Sequence, residues 1–148
     1  MRKTANRRTF LKRLAGGAAA ATAGPYVLTS HALGAAGVPA ASERIAMGFI
    51  GCGGHGVGHN LNSFLTNADC QVVALCDVHV PQMNNALKRA RGKYGQDFTC
   101  FQTQDWREVI SRADVDAVMI STPDHWHVPI SIAAIRAGKD VLCEKPTL

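Results

Sequence analysis

Residues 44–65 read RIAMGFIGCGGHGVGHNLNSFL. The first part, RIAMGFIG (44–51), is a short apolar run closed by glycine, the form of a strand buried on both faces of a parallel sheet. Beyond it Val57, Leu61, Phe64 and Leu65 recur at helical spacing. Between strand and helix lies GCGGHG, in which Gly51, Gly53 and Gly56 fit G-x-G-x-x-G and Gly54 and Gly58 are additional. The spacing has a chemical reason. The first glycine permits a tight turn, the second lets the backbone approach a pyrophosphate, and the third lets the helix pack close to the strand. The helix N-terminus then offers unpaired N–H groups to phosphate charge.

Glycine-rich turns are common, so the motif needs context. CQVVALCDV (70–78) is a second buried strand ending in an acid, Asp77, 21 residues after Gly56. A carboxylate at that distance can bind the hydroxyls of an adenosine ribose. The residues therefore predict dinucleotide binding, with Gly51, Gly53, Gly54 and Gly56 at the phosphates and Asp77 at the ribose. A carboxylate there repels a ribose 2′-phosphate, which favours NAD over NADP. His79, or a basic residue brought near by folding, would soften that preference.

The alternation continues along the chain. Pro81 can open a helix, and Met83, Leu87, Ala90 and Tyr94 give that helix one apolar face. FTCF (98–101) is a short strand. Trp106, Val109, Ile110 and Ala113 share a helix face, VDAVMIST (115–122) is a strand, residues 127–137 form a helix closed by Gly138, and DVLCE (140–144) is the last strand. Five strands alternating with four helices imply a doubly wound parallel α/β sheet of Rossmann type, with helices on both faces.

The chain has 148 residues and a net charge of +5. Six of its sixteen Lys and Arg precede Ser42, where no acid occurs; the remaining ten face eleven acids, a net of −1. The basic character thus belongs to the first 41 residues, and the folded part gives no electrostatic case for a nucleic-acid partner. Those residues have a basic start, a mild apolar stretch from Leu14 to Leu28 broken by Gly16, Gly17, Gly24 and Pro25, and small residues after it. Gly34 and Ala36 are spaced like a cleavage site. This is the layout of an export signal. Within it NRRTFLK, with Arg7 and Arg8 paired, resembles the twin-arginine (Tat) signal, which passes folded proteins across a bacterial inner membrane. The expectation is export through the Tat translocase to the periplasm, with residues 1–41 as signal and linker and 42–148 as the nucleotide-binding domain; an uncleaved leader would be a membrane tether.

Cys52, Cys70, Cys76, Cys100 and Cys143 form no C-x-x-C pair and mostly sit in apolar runs, so they read as small buried thiols. No spacing predicts a metal site. His125 and His127 in STPDHWHVP (121–129) are a pair without a third ligand. One is expected to line the cofactor and the other to be exposed or capping, while Trp126 is either a loop anchor or a substrate contact. That loop and EKP (144–146) both follow strands, where ligands bind in doubly wound sheets.

Taken together, GFIGCGGHG, ALCDV, STPDHWH and CEKP, in that order over roughly 44–146, resemble the N-terminal domain of the Gfo/Idh/MocA oxidoreductases, which include glucose–fructose oxidoreductase and inositol dehydrogenase. The resemblance implies hydride transfer between a nicotinamide dinucleotide and a sugar or cyclitol. Thr122, Pro123 and His127 would lie along the nicotinamide half, and Glu144 and Lys145 would meet the nicotinamide ribose and the substrate. Lys145 would be the catalytic residue, stabilising negative charge on the reacting sugar oxygen. Pro146 would restrict its backbone to extended values. The family continues past EKP into a substrate-binding domain that supplies an Asp and His pair. The chain is therefore expected to be the first portion of such an enzyme with the substrate domain absent or on a separate chain. The alternative is a catalytically inactive fragment that binds a nucleotide or docks onto a partner.

Overall fold

The computed structural model describes residues 39–147. The leader expected over 1–41 lies outside the described residues as far as position 38.

After a 3₁₀ turn (Ala41–Glu43), β1 (Ile45–Ile50) runs into the glycine loop. A helical segment follows, π-wound over Gly56–Leu61 and continuing as α1 (Asn62–Thr66). Next come β2 (Cys70–Cys76), α2 (Val80–Tyr94), β3 (Phe101–Thr103), α3 (Trp106–Ile110), β4 (Ala117–Ile120), a 3₁₀ turn (Asp124–Trp126), α4 (His127–Arg136) and β5 (Asp140–Cys143). All strand pairs are parallel, and the sheet order is β3-β2-β1-β4-β5. The chain thus builds outward from β1 in one direction, then crosses back to build from β1 in the other. This is the doubly wound α/β architecture that the alternation predicts.

The period-two alternation of each strand sorts its side chains onto two cores. Met47, Phe49 and Met119 join Val57, Leu61 and Leu65 of the first helical segment and Met83, Leu87 and Ala90 of α2. Ile50, Val118 and Ile120 face the other way, onto Val109 and Ile110 of α3 and Ile130 and Ala134 of α4. Strand β2 changes parity partway. Met47 pairs with Val72 but Gly48 pairs with Ala74, so Val73 bulges out of register. That bulge is why Val72 and Leu75, three apart, reach the same core. Gly48 has a packing reason: a methyl group there would lie 2.6 Å from the Val109 side chain.

Helix ends follow local chemistry. Pro81 sits in the first turn of α2, and Gly95, at φ 108°, ends it. The Asp105 side chain caps α3 by accepting from the Arg107 N–H at 3.0 Å. Gly138, at φ 76°, follows α4, where the Lys139 N–H returns to the Ala134 carbonyl.

The third strand departs from expectation. The sequence places it at 98–101, but β3 begins at Phe101. Pairing decides this: Phe101, Gln102 and Thr103 match Ala74, Leu75 and Cys76 on β2. Phe98 instead stacks on Tyr94 at the end of α2, with ring centroids 4.7 Å apart. The five cysteines are free, with Cys52, Cys70 and Cys76 buried.

Candidate functional site

The order reverses between β1 and β4, and the loops leaving their carboxyl ends diverge there to leave a crevice. A cavity of about 700 Å³ occupies it. Its walls include Gly51, Gly53, Gly54 and Gly56 after β1, Asp77 and His79 after β2, Gln104 to Arg107 after β3, and Ser121, Thr122 and Pro123 after β4.

The four glycines divide into two kinds. Gly51 has φ 96°, and a methyl group on it would lie 2.5 Å from the Ser121 carbonyl. On Gly56 a methyl group would lie 2.4 Å from the Gly51 carbonyl oxygen. These two are required by the approach of backbone to backbone. Gly53 is different, since its methyl group would meet only the end of the Gln82 side chain, at 3.2 Å; on Gly54 it would meet nothing within 4 Å. The protein itself does not need glycine at 53 or 54. What those positions preserve is open space on the cavity floor where the helix begins.

The Asp77 carboxylate is fixed from both sides. Its Oδ2 accepts from the Cys52 N–H at 2.6 Å and its Oδ1 from the His79 N–H at 2.7 Å. These contacts orient it toward the cavity it lines and leave further lone pairs for ribose hydroxyls. Beneath it Cys52 and Cys76 are buried, and desolvation pushes each thiol up to about 12. They are packing groups, not nucleophiles. Beyond Asp77 the wall carries an ion pair. Arg107 lies over the Trp106 ring, 4.5 Å from its centroid, and pairs with Asp105 at 3.2 Å.

On the other side, Thr122 and Pro123 line the cavity, and Trp126 lines it with 41 % of its surface exposed. The Thr122 hydroxyl is buried without a hydrogen-bond partner. His125 is exposed.

His127 does not line the cavity. It is 1 % exposed, and its ring nitrogens contact the carbonyl oxygens of Thr122, at 2.8 Å, and Pro146, at 2.9 Å. Carbonyls only accept, so a neutral ring donates to one of them and a protonated ring to both. The ring lies behind the site and ties together the two loops that the sequence reading singled out.

Glu144 is held at the cavity edge. Asn60 first, then His55, keeps its carboxyl below the ordinary value by hydrogen bonding to the charged form. Lys145 follows, exposed, and its ammonium has no partner among the described residues. The Lys145–Pro146 peptide is cis. Asn60 and Ser121 were not among the residues the sequence singled out. A signal existed for Asn60: it is a polar residue on the apolar stripe of Val57, Leu61 and Leu65. Among the described residues no three His, Cys, Asp or Glu side chains converge as a metal site.

The residues fit a dinucleotide. Space preserved by Gly53 and Gly54, helix N–H groups beside it and an oriented acid at the neighbouring strand end meet the three needs of an adenosine diphosphate. The comparisons agree with this geometry. The GFO_IDH_MocA family, described as "Oxidoreductase family, NAD-binding Rossmann fold", matches residues 45–148. A glycosyl hydrolase family 109 protein of Shewanella baltica (strain OS185) is 29 % identical over 160 residues, covering 95 % of this chain and 33 % of that protein. The chain thus spans about a third of the length of the curated relatives it matches. Among solved structures, an NAD-binding protein from Listeria innocua superposes with a TM-score of 0.59 at 25 % identity, covering 70 % of this chain and 28 % of its own. KijD10, a 3-ketoreductase from Actinomadura kijaniata in complex with NADP and TDP-benzene, superposes with a TM-score of 0.57 at 28 % identity, covering 70 % and 30 %.

Proposed function

The chain belongs to the GFO_IDH_MocA oxidoreductase family, with its NAD-binding Rossmann fold, and from that premise we propose that it is the nucleotide-binding portion of an oxidoreductase acting on sugars or cyclitols. The observation that carries the reading is the cavity floor at Gly53 and Gly54, kept open where no protein neighbour requires glycine. A nicotinamide bound at such a site accepts or delivers hydride. The chain's own residues bind and orient it. Gly53, Gly54 and the helix N–H groups hold the pyrophosphate, Asp77 the adenosine ribose, Thr122 and Pro123 the nicotinamide half, and Glu144 its ribose. Lys145 stabilises negative charge on the sugar oxygen. His127 supports this face from behind through the Thr122 and Pro146 carbonyls.

The sugar assignment is supported by the 3-ketoreductase and glycosyl hydrolase names of the relatives. Asp77 supports NAD as the preferred cofactor, because its charge opposes a 2′-phosphate. Arg107 and His79 in the same wall oppose that preference, and KijD10 holds NADP, so the discrimination is modest. The test is calorimetry of the purified chain with NADH and NADPH. NADH binds more tightly, and Asp77→Ala narrows the difference. Equal or tighter NADPH binding defeats the Asp77 argument, and binding of neither defeats the reading.

The order of basic, apolar and small residues before Ser42, with Arg7 and Arg8 paired, supports a Tat signal and a periplasmic destination. A nucleotide enzyme exported this way takes up its cofactor in the cytosol and crosses folded.

A further inference from the structure

One polar cluster extends from the cavity wall, at His55 and Ser121, to where the helix after the glycine loop meets the end of β5. Asn60 sits there at 9 % exposure, in the π-wound stretch, a rare winding that concentrates at functional sites. Its Nδ2 carries two hydrogens, and the geometry uses both: Ser121 Oγ accepts at 2.8 Å and Glu144 Oε1 at 2.9 Å. His55 Nε2 reaches the same Glu144 oxygen at 3.0 Å. Thus Oε1 is held twice by the helix that begins at the phosphate loop. The same amide of Asn60 holds Ser121, the neighbour of Thr122 in the loop after β4.

A buried amide kept from water is costly unless its donors are used. Asn60 uses its donors on the carboxylate expected at the nicotinamide ribose and on the loop expected at the nicotinamide. His55, at the other end of the contact, lines the cavity beside the phosphate-binding glycines. A carboxylate with both oxygens free would rotate; this one has one oxygen pinned.

We propose that Asn60 is a positioning residue, fixing the Glu144 carboxylate toward the ribose on the nicotinamide side of the bound dinucleotide. Through it, the helix that receives the phosphates also sets the geometry of the other half of the ligand. The inference rests on the dinucleotide reading above.

The experiment titrates the full 148-residue chain with three ligands. ADP has the adenosine and the diphosphate only, ADP-ribose adds the second ribose, and NADH adds the nicotinamide. Asn60→Asp keeps the shape, removes both donor hydrogens and sets a like charge against Glu144. Loss of a hydrogen bond to a charged group predicts about a tenfold weaker affinity for NADH and ADP-ribose, with ADP unchanged. In a Glu144→Ala background the substitution has no further effect, because a residue acting through another is silent once that other is gone. Asn60→Ser retains a donor and serves as the milder variant, with a smaller loss on the same two ligands. A parallel loss for ADP in both variants identifies a general structural role and overturns the proposal. So does unchanged binding of all three ligands, or a full effect of Asn60→Asp without Glu144. If the unsubstituted chain binds neither ADP nor NADH, the dinucleotide reading fails and this inference with it.

Discussion

A methyl group on Gly56 would sit 2.4 Å from a backbone oxygen, whereas one on Gly53 would meet only a movable glutamine end at 3.2 Å. The two positions therefore respond differently to substitution. Gly56→Ala is expected to lower folding stability by about 1–3 kcal/mol, the usual cost of overpacking. Gly53→Val is expected to leave the denaturant midpoint nearly unchanged while abolishing NADH binding, since it fills the approach to the pyrophosphate. Parallel unfolding and calorimetry on both variants check this; loss of stability in Gly53→Val would return that glycine to a packing role. The motif was legible in the sequence, but this division was not, because it depends on how closely Ser121 and Gln82 approach. The buried thiols make a second residue-scale prediction. Cys52 and Cys76 stay protonated to about pH 12 in the fold because desolvation opposes the thiolate. In the unfolded chain they ionise near the ordinary cysteine value of about 8.5. Ionisation therefore draws the equilibrium toward the unfolded state as pH rises. Stability contributed by these thiols is full below about pH 8.5 and is lost progressively toward about pH 12. Denaturant midpoints measured between those limits, compared with Cys52→Ala and Cys76→Ala, should show the loss and its reduction in the variants.

Two loops at strand ends make up one side of the site, and a buried imidazole joins them. The histidines of STPDHWHVP raised the question of which one faces a ligand. Neither is among the residues that line the cavity: His125 is exposed, and α4 places its first residue, His127, inward between the Thr122 and Pro146 carbonyls. His127→Leu keeps an apolar body but removes the ring nitrogens from between the two carbonyls, so the one that accepts the N–H of a neutral ring loses its donor. Each unsatisfied buried group costs about 1–3 kcal/mol. The expected result is a lower unfolding midpoint together with faster amide exchange over residues 121–123 and 144–147. Exchange confined to α4, with both loops still protected, would contradict the tie. The strand β3 teaches the complementary lesson about elements. FTCF and FQT are both short, and only pairing against Ala74 to Cys76 chooses the second. Local propensity over three residues is too weak to decide a boundary that a neighbouring strand decides by hydrogen bonding.

For the molecule as a whole, the leader and the folded domain make separate predictions. If residues 1–41 are a Tat signal, changing Arg7 and Arg8 to Lys in a reporter fusion should block export while leaving the reporter folded inside the cell. Unchanged export would favour the general secretory route. In the folded domain, the alternation of strand and helix, the placing of glycines after β1 and the acid after β2 were all determined by the sequence itself. These are local patterns of period and spacing, and a parallel sheet with right-handed crossovers has few other ways to satisfy them. The tertiary structure alone decided what those residues meet. It set β4 beside β1, so that Ser121 presses on Gly51 and the crevice opens at the reversal. It turned His127 away from the cavity, and it brought Asn60 to Glu144 across 84 positions of chain. Sequence period reports which face a residue occupies; which partner waits on that face is set by packing distant segments together, and no local pattern encodes it.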